Sequence, residues 1–222
     1  MIKGILFDFD GVLFDTERYY NKIEQDFIDY YHYPVPKDRM KKLICADTSI
    51  DIFDEILKGY EDVVDKQEFK DKMFGFYKFY DDGKLPFKRL LFNDVEPLLK
   101  WLKENNYKIA CASRSPLNHI KNGLHEANIE KYFDLYVTGQ DFKLNKPAPD
   151  CYLYCKEKLG LSSDECLVVE DSPNGILAAK NANMKVVVRK DYDLGLNQSG
   201  GDYYVDCFDE IPNVIKDIDN KK

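Results

Sequence analysis

Residues 3–16 read KGILFDFDGVLFDT, and the organisation of the chain is worked outward from this stretch. An apolar run, residues 2–7, ends abruptly in two carboxylates, Asp8 and Asp10, and Gly11 follows at once. Acids at the end of an apolar strand stand where an open α/β sheet places its chemistry, just past the carboxyl ends of the strands. Strand alternation through residues 8–10 points both carboxylates to one side. Gly11 then lets the chain turn away sharply. Two acids this close repel each other unless a cation lies between them or they hold different protonation states. An acidic loop after a strand produces the same short pattern, so the rest of the chain has to supply the other parts of a site.

With 222 residues the chain is long enough to bury a full core, as one large domain or one domain with an insertion. Lys and Arg number 32 against 40 Asp and Glu, a net charge of −8. That balance argues against a nucleic-acid backbone as partner, which calls for a positive face. Six cysteines (45, 111, 151, 155, 166 and 207) show no disulfide or zinc spacing and read as buried, reduced thiols. Histidines 32, 119 and 125 form no metal or triad pattern. The amino terminus runs straight into a strand with no signal-like stretch, and no apolar run is long enough to span a membrane. The expectation is a cytoplasmic protein, monomeric by default, with no membrane partner.

Residues 17–83 change character. Strand-like runs disappear and aromatic residues crowd in. Ile23, Phe27 and Tyr30/Tyr31 recur at helical spacing, as do Ile52, Phe53, Ile56 and Leu57, and then Phe69, Met73, Phe76 and Phe79/Tyr80. Pro34 and Pro36 end the first of these helices and Gly59 the second. This predicts a small helical bundle over residues 16–85, inserted after the first strand. From residue 94 onward helix and strand alternate. Helices are expected over 95–105, 117–127, 150–159 and 173–181, and strands over 107–112, 135–137, 166–169, 186–188 and 203–205. The basic and acidic tail after residue 215 reads as frayed. Such alternation predicts an α/β fold, a Rossmann-like parallel sheet with helices on both faces, built from residues 1–15 and 86–222.

Strand after strand in this reading ends in polar residues. The second ends at Ser113 and Arg114, and the fourth at Glu170 and Asp171. Lys146 precedes a rigid Pro147 between them. A parallel sheet gathers such tips along one edge. Four acids beside one lysine leave an excess of negative charge, which a hard divalent cation such as Mg²⁺ would offset. Asp171-Ser172-Pro173 is also a good helix start, so each tip taken singly has a structural explanation. For a phosphate ester, Asp8 is then the better nucleophile, giving an aspartyl-phosphate. Asp10 is placed to protonate the leaving oxygen and later to activate water. Ser113 would donate a hydrogen bond, main-chain N–H groups near Arg114 would cradle phosphoryl oxygens, and Lys146 would hold nucleophile and phosphate together.

The stretch DFDGVLFDT closely resembles the signature of the haloacid dehalogenase superfamily, and the likeness extends over the chain. Ser113 matches the second motif of that family, Lys146 in KPAPD the third, and Glu170 and Asp171 in VVEDSPNGILAAKNA the fourth. The resemblance implies nucleophile Asp8 and acid/base Asp10. It implies Mg²⁺ held by Asp8, the Asp10 carbonyl and Asp171, with Glu170 in direct or indirect contact. It also implies that the helical insert is a mobile cap that closes over the substrate and excludes water. Asp10 argues against true dehalogenation, because a halide needs no proton to leave.

Within the superfamily the chain looks most like the beta-phosphoglucomutase-like branch. A mutase holds a second phosphate, so its cap carries basic groups. The positions corresponding to the His, Arg and Lys of the mutase cap fall on Tyr20, near Thr48/Ser49 and near Phe76, all uncharged. The favoured expectation is a phosphatase acting on a small phosphorylated metabolite, such as a sugar phosphate. The alternatives are a phosphoglucomutase-type isomerase and a non-catalytic binding module. Tyr19, Tyr20, Asp47 and Thr48 are the candidate contacts to the bound alcohol.

Overall fold

The protein is described from a computed structural model covering residues 1–44, 51–80 and 84–221. It divides into two compact units, Met1–Asp15 with Phe87–Lys222, and Thr16–Pro86.

The first unit is built on strand β1, Gly4–Phe7, every residue of which is buried. A strand covered on both faces has no need of alternating polar residues, which is why this one reads as an unbroken apolar run. Strands β2 (Lys108–Ser113), β3 (Leu135–Thr138), β4 (Cys166–Glu170), β5 (Lys185–Arg189) and β6 (Tyr203–Val205) complete the sheet. Its order is β3-β2-β1-β4-β5-β6, and every pairing is parallel. Phe7 stands in register with Cys111 of β2 and Val169 of β4. The chain therefore winds outward from β1 in both directions, and the carboxyl end of β1 is the crevice where this topology places ligands.

Successive residues of β1 serve opposite faces. Leu6 packs with Tyr152 and Cys155 of helix α7 (Asp150–Leu159) and Ile176 and Ala179 of α8 (Pro173–Asn181). Phe7 points the other way and meets Phe133 edge-on at 6.4 Å and Phe208 at 6.2 Å. Helix α5 (Val95–Glu104) buries Leu98, Leu99 and Leu102 on this unit. The helices begin and end where local chemistry dictates. Ser172 accepts from Gly175 N at 3.0 Å and Pro173 opens α8, while α7 ends at Gly160 with φ +66°.

One expectation is corrected at the carboxyl end. Residues 216–220 are not frayed: Ile211–Asn220 form helix α9, which buries Ile211, Ile215 and Ile218. Those three recur at helical spacing, and Asp219 Oδ1 accepts a 2.7 Å hydrogen bond from Ile2 N. Of the charged residues that suggested a loose tail, Lys216 and Lys221 are exposed to solvent.

The second unit is helical. It contains α1 (Thr16–Tyr31), a 3-10 segment (Lys37–Leu43), α2 (Ile52–Leu57) and α3 (Lys66–Phe79). Phe27, Met40, Ile56 and Phe69 form its fully buried centre. Phe27 and Phe69 meet edge-to-face at 5.1 Å and 82°. Phe76, from the third aromatic stripe, packs against Phe27 at 5.7 Å. Glu24 is buried there and accepts a 2.6 Å hydrogen bond from the Tyr77 hydroxyl. Among the described residues, no helix is long and apolar enough to cross a membrane. Cys111, Cys151, Cys155 and Cys166 are buried free thiols, as expected, and burial pushes those of Cys151 and Cys166 up to about 11. Cys45 lies outside the described residues.

Candidate active site

The pairing of β1 continues one residue past the strand, since Asp8 N donates to Val169 O at 3.0 Å. The Asp8 side chain is therefore delivered at the sheet edge by a backbone that is still hydrogen-bonded. The chain then folds back on itself, with Leu13 N and Phe14 N both donating to Phe9 O and Gly11 N donating to Phe14 O. Gly11 makes this turn with φ +74°, and a Cβ there would overlap the Asp171 carboxylate. The loop after β1 and the residue after β4 are thereby brought into direct contact.

Lys146 lies at the centre. Its ammonium donates to Asp8 Oδ1 at 2.6 Å, Glu170 Oε1 at 2.7 Å and Ala112 O at 2.9 Å. All three of its donors are thus used, and the Tyr152 ring lies 4.7 Å from the nitrogen. Glu170 is fully buried and saturated. Oε1 also accepts from the Tyr152 hydroxyl at 2.7 Å. Oε2 accepts from Asp171 N (3.0 Å), Ser172 N (3.2 Å) and Ser172 Oγ (3.0 Å). A Cβ on Gly175 would collide with this carboxylate, so glycine at that point of α8 makes the room it occupies.

The electrostatics follow from burial and pairing. Burial pushes the Asp8 carboxyl up to about 7; Lys146 opposes this, and Glu170 and Asp10 add to it. Burial acts on Glu170 in the same sense, but the Lys146 ammonium and the converging donors hold it below the usual range. Lys146 is desolvated, yet its two carboxylate partners keep it charged well above the ordinary lysine value.

Asp10 faces a second group. Ser115 Oγ donates to Asp10 Oδ2 at 2.6 Å, and Ser113 Oγ lies 3.4 Å from the same oxygen. Ser115 N donates to Ser113 Oγ at 3.0 Å, and Thr138 at the end of β3 donates to Ser115 O at 2.7 Å. Arg114 lies between the two serines on the bend after β2 and is half-buried. The structure thus brings Asp8, Asp10, Ser113, Lys146, Glu170 and Asp171 to one edge of the sheet.

Among the described residues, Asp8, Glu170 and Asp171 present carboxylate oxygens within 4.8 Å of one another, all buried. Three buried carboxylates against one ammonium leave an excess of negative charge. An all-oxygen donor set of this kind suits Mg²⁺, so the residues present fit the ion. Asp8 and Asp171 are the better direct donors, because the oxygens of Glu170 already accept five hydrogen bonds.

Of the candidates in the helical unit, Tyr19 and Tyr20 line an open cavity of about 150 Å³ together with Tyr77, Tyr80, Lys78 and Lys84. Asp47 and Thr48 lie outside the described residues. The sequence reading did not single out Ser115, Tyr152 or His119. Ser115 was within reach of it, two residues beyond Ser113 in ASRS. Tyr152 reads as an ordinary core position of α7, and its hydroxyl contact with Glu170 is visible only in three dimensions.

Residues 5–189 match the family model of the haloacid dehalogenase-like hydrolases. The chain is 29% identical over 224 residues to a phosphorylated carbohydrates phosphatase of Thermotoga maritima, covering 98% of this chain and 100% of the relative. It is 28% identical over 229 residues to a phosphoglycolate phosphatase of Colwellia psychrerythraea, covering 96% of each. Among solved structures, a beta-phosphoglucomutase from Clostridium difficile aligns with a TM-score of 0.73 at 25% identity, over 100% of this chain and 98% of that one. With its strand-end carboxylates, buried lysine and family match over most of its length, this chain belongs to the haloacid dehalogenase-like hydrolases.

Proposed function

We propose that the protein is a Mg²⁺-dependent phosphatase that hydrolyses a small phosphorylated metabolite, such as a sugar phosphate, through an aspartyl-phosphate on Asp8. The observation that carries this reading is the position of Lys146, whose ammonium bridges Asp8 and Glu170 at 2.6 and 2.7 Å in a buried site. It fixes the Asp8 carboxylate and supplies a positive charge where an anionic ester has to approach. Asp8 attacks phosphorus, the ester P–O bond breaks, and the departing oxygen takes a proton from Asp10. Asp10 then takes a proton from water, which attacks the phosphorus of the aspartyl-phosphate. Inorganic phosphate leaves and Asp8 is restored. Ser113 donates to a phosphoryl oxygen, and main-chain N–H groups of the turn after Asp8 and of the bend at Arg114 cradle the others. Asp8, Asp171 and the Asp10 main-chain carbonyl would hold Mg²⁺, which would supply positive charge against the charge that develops on the phosphoryl group. Glu170 acts through its neighbours, holding Lys146 and the main chain of Asp171.

The helical unit, residues 16–86, is assigned the role of a cap that selects the alcohol, with Tyr19 and Tyr20 as contacts. A mutase is the second reading, favoured by the likeness to the Clostridium difficile enzyme. Against it, Tyr20 is uncharged and Phe76 is buried in the aromatic centre of the helical unit, where a mutase cap needs basic groups. The test is phosphate release from a panel of phosphorylated metabolites with Mg²⁺, with chelator and with Asp8→Asn. Release that requires both metal and Asp8 is expected. Isomerisation of a sugar phosphate with a bisphosphate primer, without net phosphate release, would overturn the phosphatase reading in favour of the mutase.

A further inference from the structure

His119 lies in the first turn of helix α6 (Leu117–Glu126), the helix that follows the tip of β2. Its Nε2 is buried, makes no hydrogen bond, and stands 3.8 Å from Asp10 Oδ1. The imidazole is held on two sides. It meets the Phe9 ring at 5.5 Å and the Phe87 ring at 5.0 Å, edge-to-face in both cases. Both phenylalanines are buried, and they in turn pack against Gly123 of α6, where a Cβ would collide with Phe9 and press on Phe87 at 3.0 Å. The ring is thus fixed, with one nitrogen directed at the carboxylate.

A buried ring nitrogen without a partner is costly and calls for a reason. Asp10 supplies one. Its Oδ2 is already held by Ser115 at 2.6 Å, while Oδ1 faces the imidazole. Hydrogen bonds of catalytic groups are commonly long in the unliganded enzyme and tighten when substrate binds. A shift of roughly 1 Å would bring Nε2 and Oδ1 to hydrogen-bond distance.

We propose that His119 is a positioning residue for Asp10: its Nε2–H and the Ser115 hydroxyl grip the two oxygens of the carboxyl group and fix its orientation toward the leaving-group oxygen. This rests on the assignment of Asp10 as acid and base in the proposed phosphatase reaction. A group gripped at both oxygens has one plane, so its proton transfer needs no search over rotamers.

The test compares two esters. In p-nitrophenyl phosphate the leaving group departs without a proton, whereas in glycerol 2-phosphate it needs one. Wild type, His119→Phe and His119→Gln are assayed on both. Phenylalanine keeps the aromatic packing and removes the nitrogen; glutamine restores an N–H donor. The kcat ratio of glycerol phosphate to nitrophenyl phosphate is expected to fall about tenfold or more in His119→Phe and to recover in part in His119→Gln. A proportional fall on both esters, or an unchanged ratio, would overturn the proposal, since a merely structural role does not distinguish leaving groups.

If wild type hydrolyses neither ester, the phosphatase reading is what fails, and the contact itself is then read by imidazole ¹⁵N NMR. The His119 Nε2 resonance is expected to move in Asp10→Ala. A resonance that does not move counts against any link between the two side chains.

Discussion

Gly11 and Asp171 are fitted to each other so closely that a single added methyl group on Gly11 would overlap the Asp171 carboxylate. Gly11 also holds φ at +74°, where a side chain is strained whatever the space. Gly11→Ala is therefore expected to lose about 1–2 kcal/mol from the left-handed backbone alone, with a further cost from displacing Asp171. Apparent Mg²⁺ affinity should fall roughly tenfold, the size of effect seen when a ligand's support is removed. Thermal unfolding and a Mg²⁺ titration would separate the two effects. Unchanged metal binding in a destabilised variant would show that Asp171 is not a ligand.

Replacement of Lys146 by Met is expected to cost about 3–5 kcal/mol, because Asp8 and Glu170 are left as buried carboxylates without their cation. Phosphate release should be lost with it. Urea unfolding gives the stability term. A Lys146→Met protein as stable as wild type would mean that the carboxylates take up protons at little cost.

Tyr152 gives a milder perturbation of the same network. Tyr152→Phe keeps the ring beneath the Lys146 ammonium and removes the 2.7 Å hydrogen bond to Glu170. Hydrogen bonds to charged groups contribute about 1.5–3 kcal/mol, so a loss in that range is expected. A double-mutant cycle with Ser172→Ala would show coupling, since both hydroxyls donate to one carboxylate. Strict additivity would mean that the two oxygens of Glu170 are held independently.

Glu24 gives the helical unit a pH dependence of its own. Burial pushes its carboxyl up to about 7, against the hydrogen bond from Tyr77 that pulls it down. In the unfolded chain it titrates near 4.5. Between those values the folded protein binds a proton that the unfolded chain has released, so stability falls as pH rises through this window. The full difference is roughly 3 kcal/mol. Urea unfolding at pH 5 and pH 7.5, in wild type and Glu24→Gln, checks this. The variant should show a flatter response, and an identical slope would assign the dependence to other groups.

Much of this architecture was legible in the sequence because it is local. The apolar run ending at Asp8, the Ser172-Pro173 helix start and the aromatic stripes of α1 and α3 each announce themselves within a few residues. The carboxylates of the site were legible for the same reason, since each ends a strand. What escaped notice depends on distant pairs. Ser115 and Asp10 are 105 positions apart, and Tyr77 and Glu24 are 53 apart. No periodicity encodes such contacts. Glu24 is held by Tyr77, from a different helix of the same unit. Helix α9 was missed for a different reason. The spacing of Ile211, Ile215 and Ile218 was present, but its charged outer face outweighed it.

The position of β1 between β2 and β4 has a consequence for synthesis. β1 leaves the ribosome before either of its neighbours, which begin at Lys108 and Cys166. The helical unit is one continuous segment, complete once residue 86 has emerged, whereas the sheet unit is assembled from two separated pieces. Domains fold largely as units during synthesis. The helical unit is thus the earlier to mature, while residues 4–7 wait, apolar and unpaired, until β2 follows at Lys108, and are flanked on both sides only once β4 follows at Cys166. The edge formed by β1 is thus made before the strands that complete it and is assembled after the helical unit.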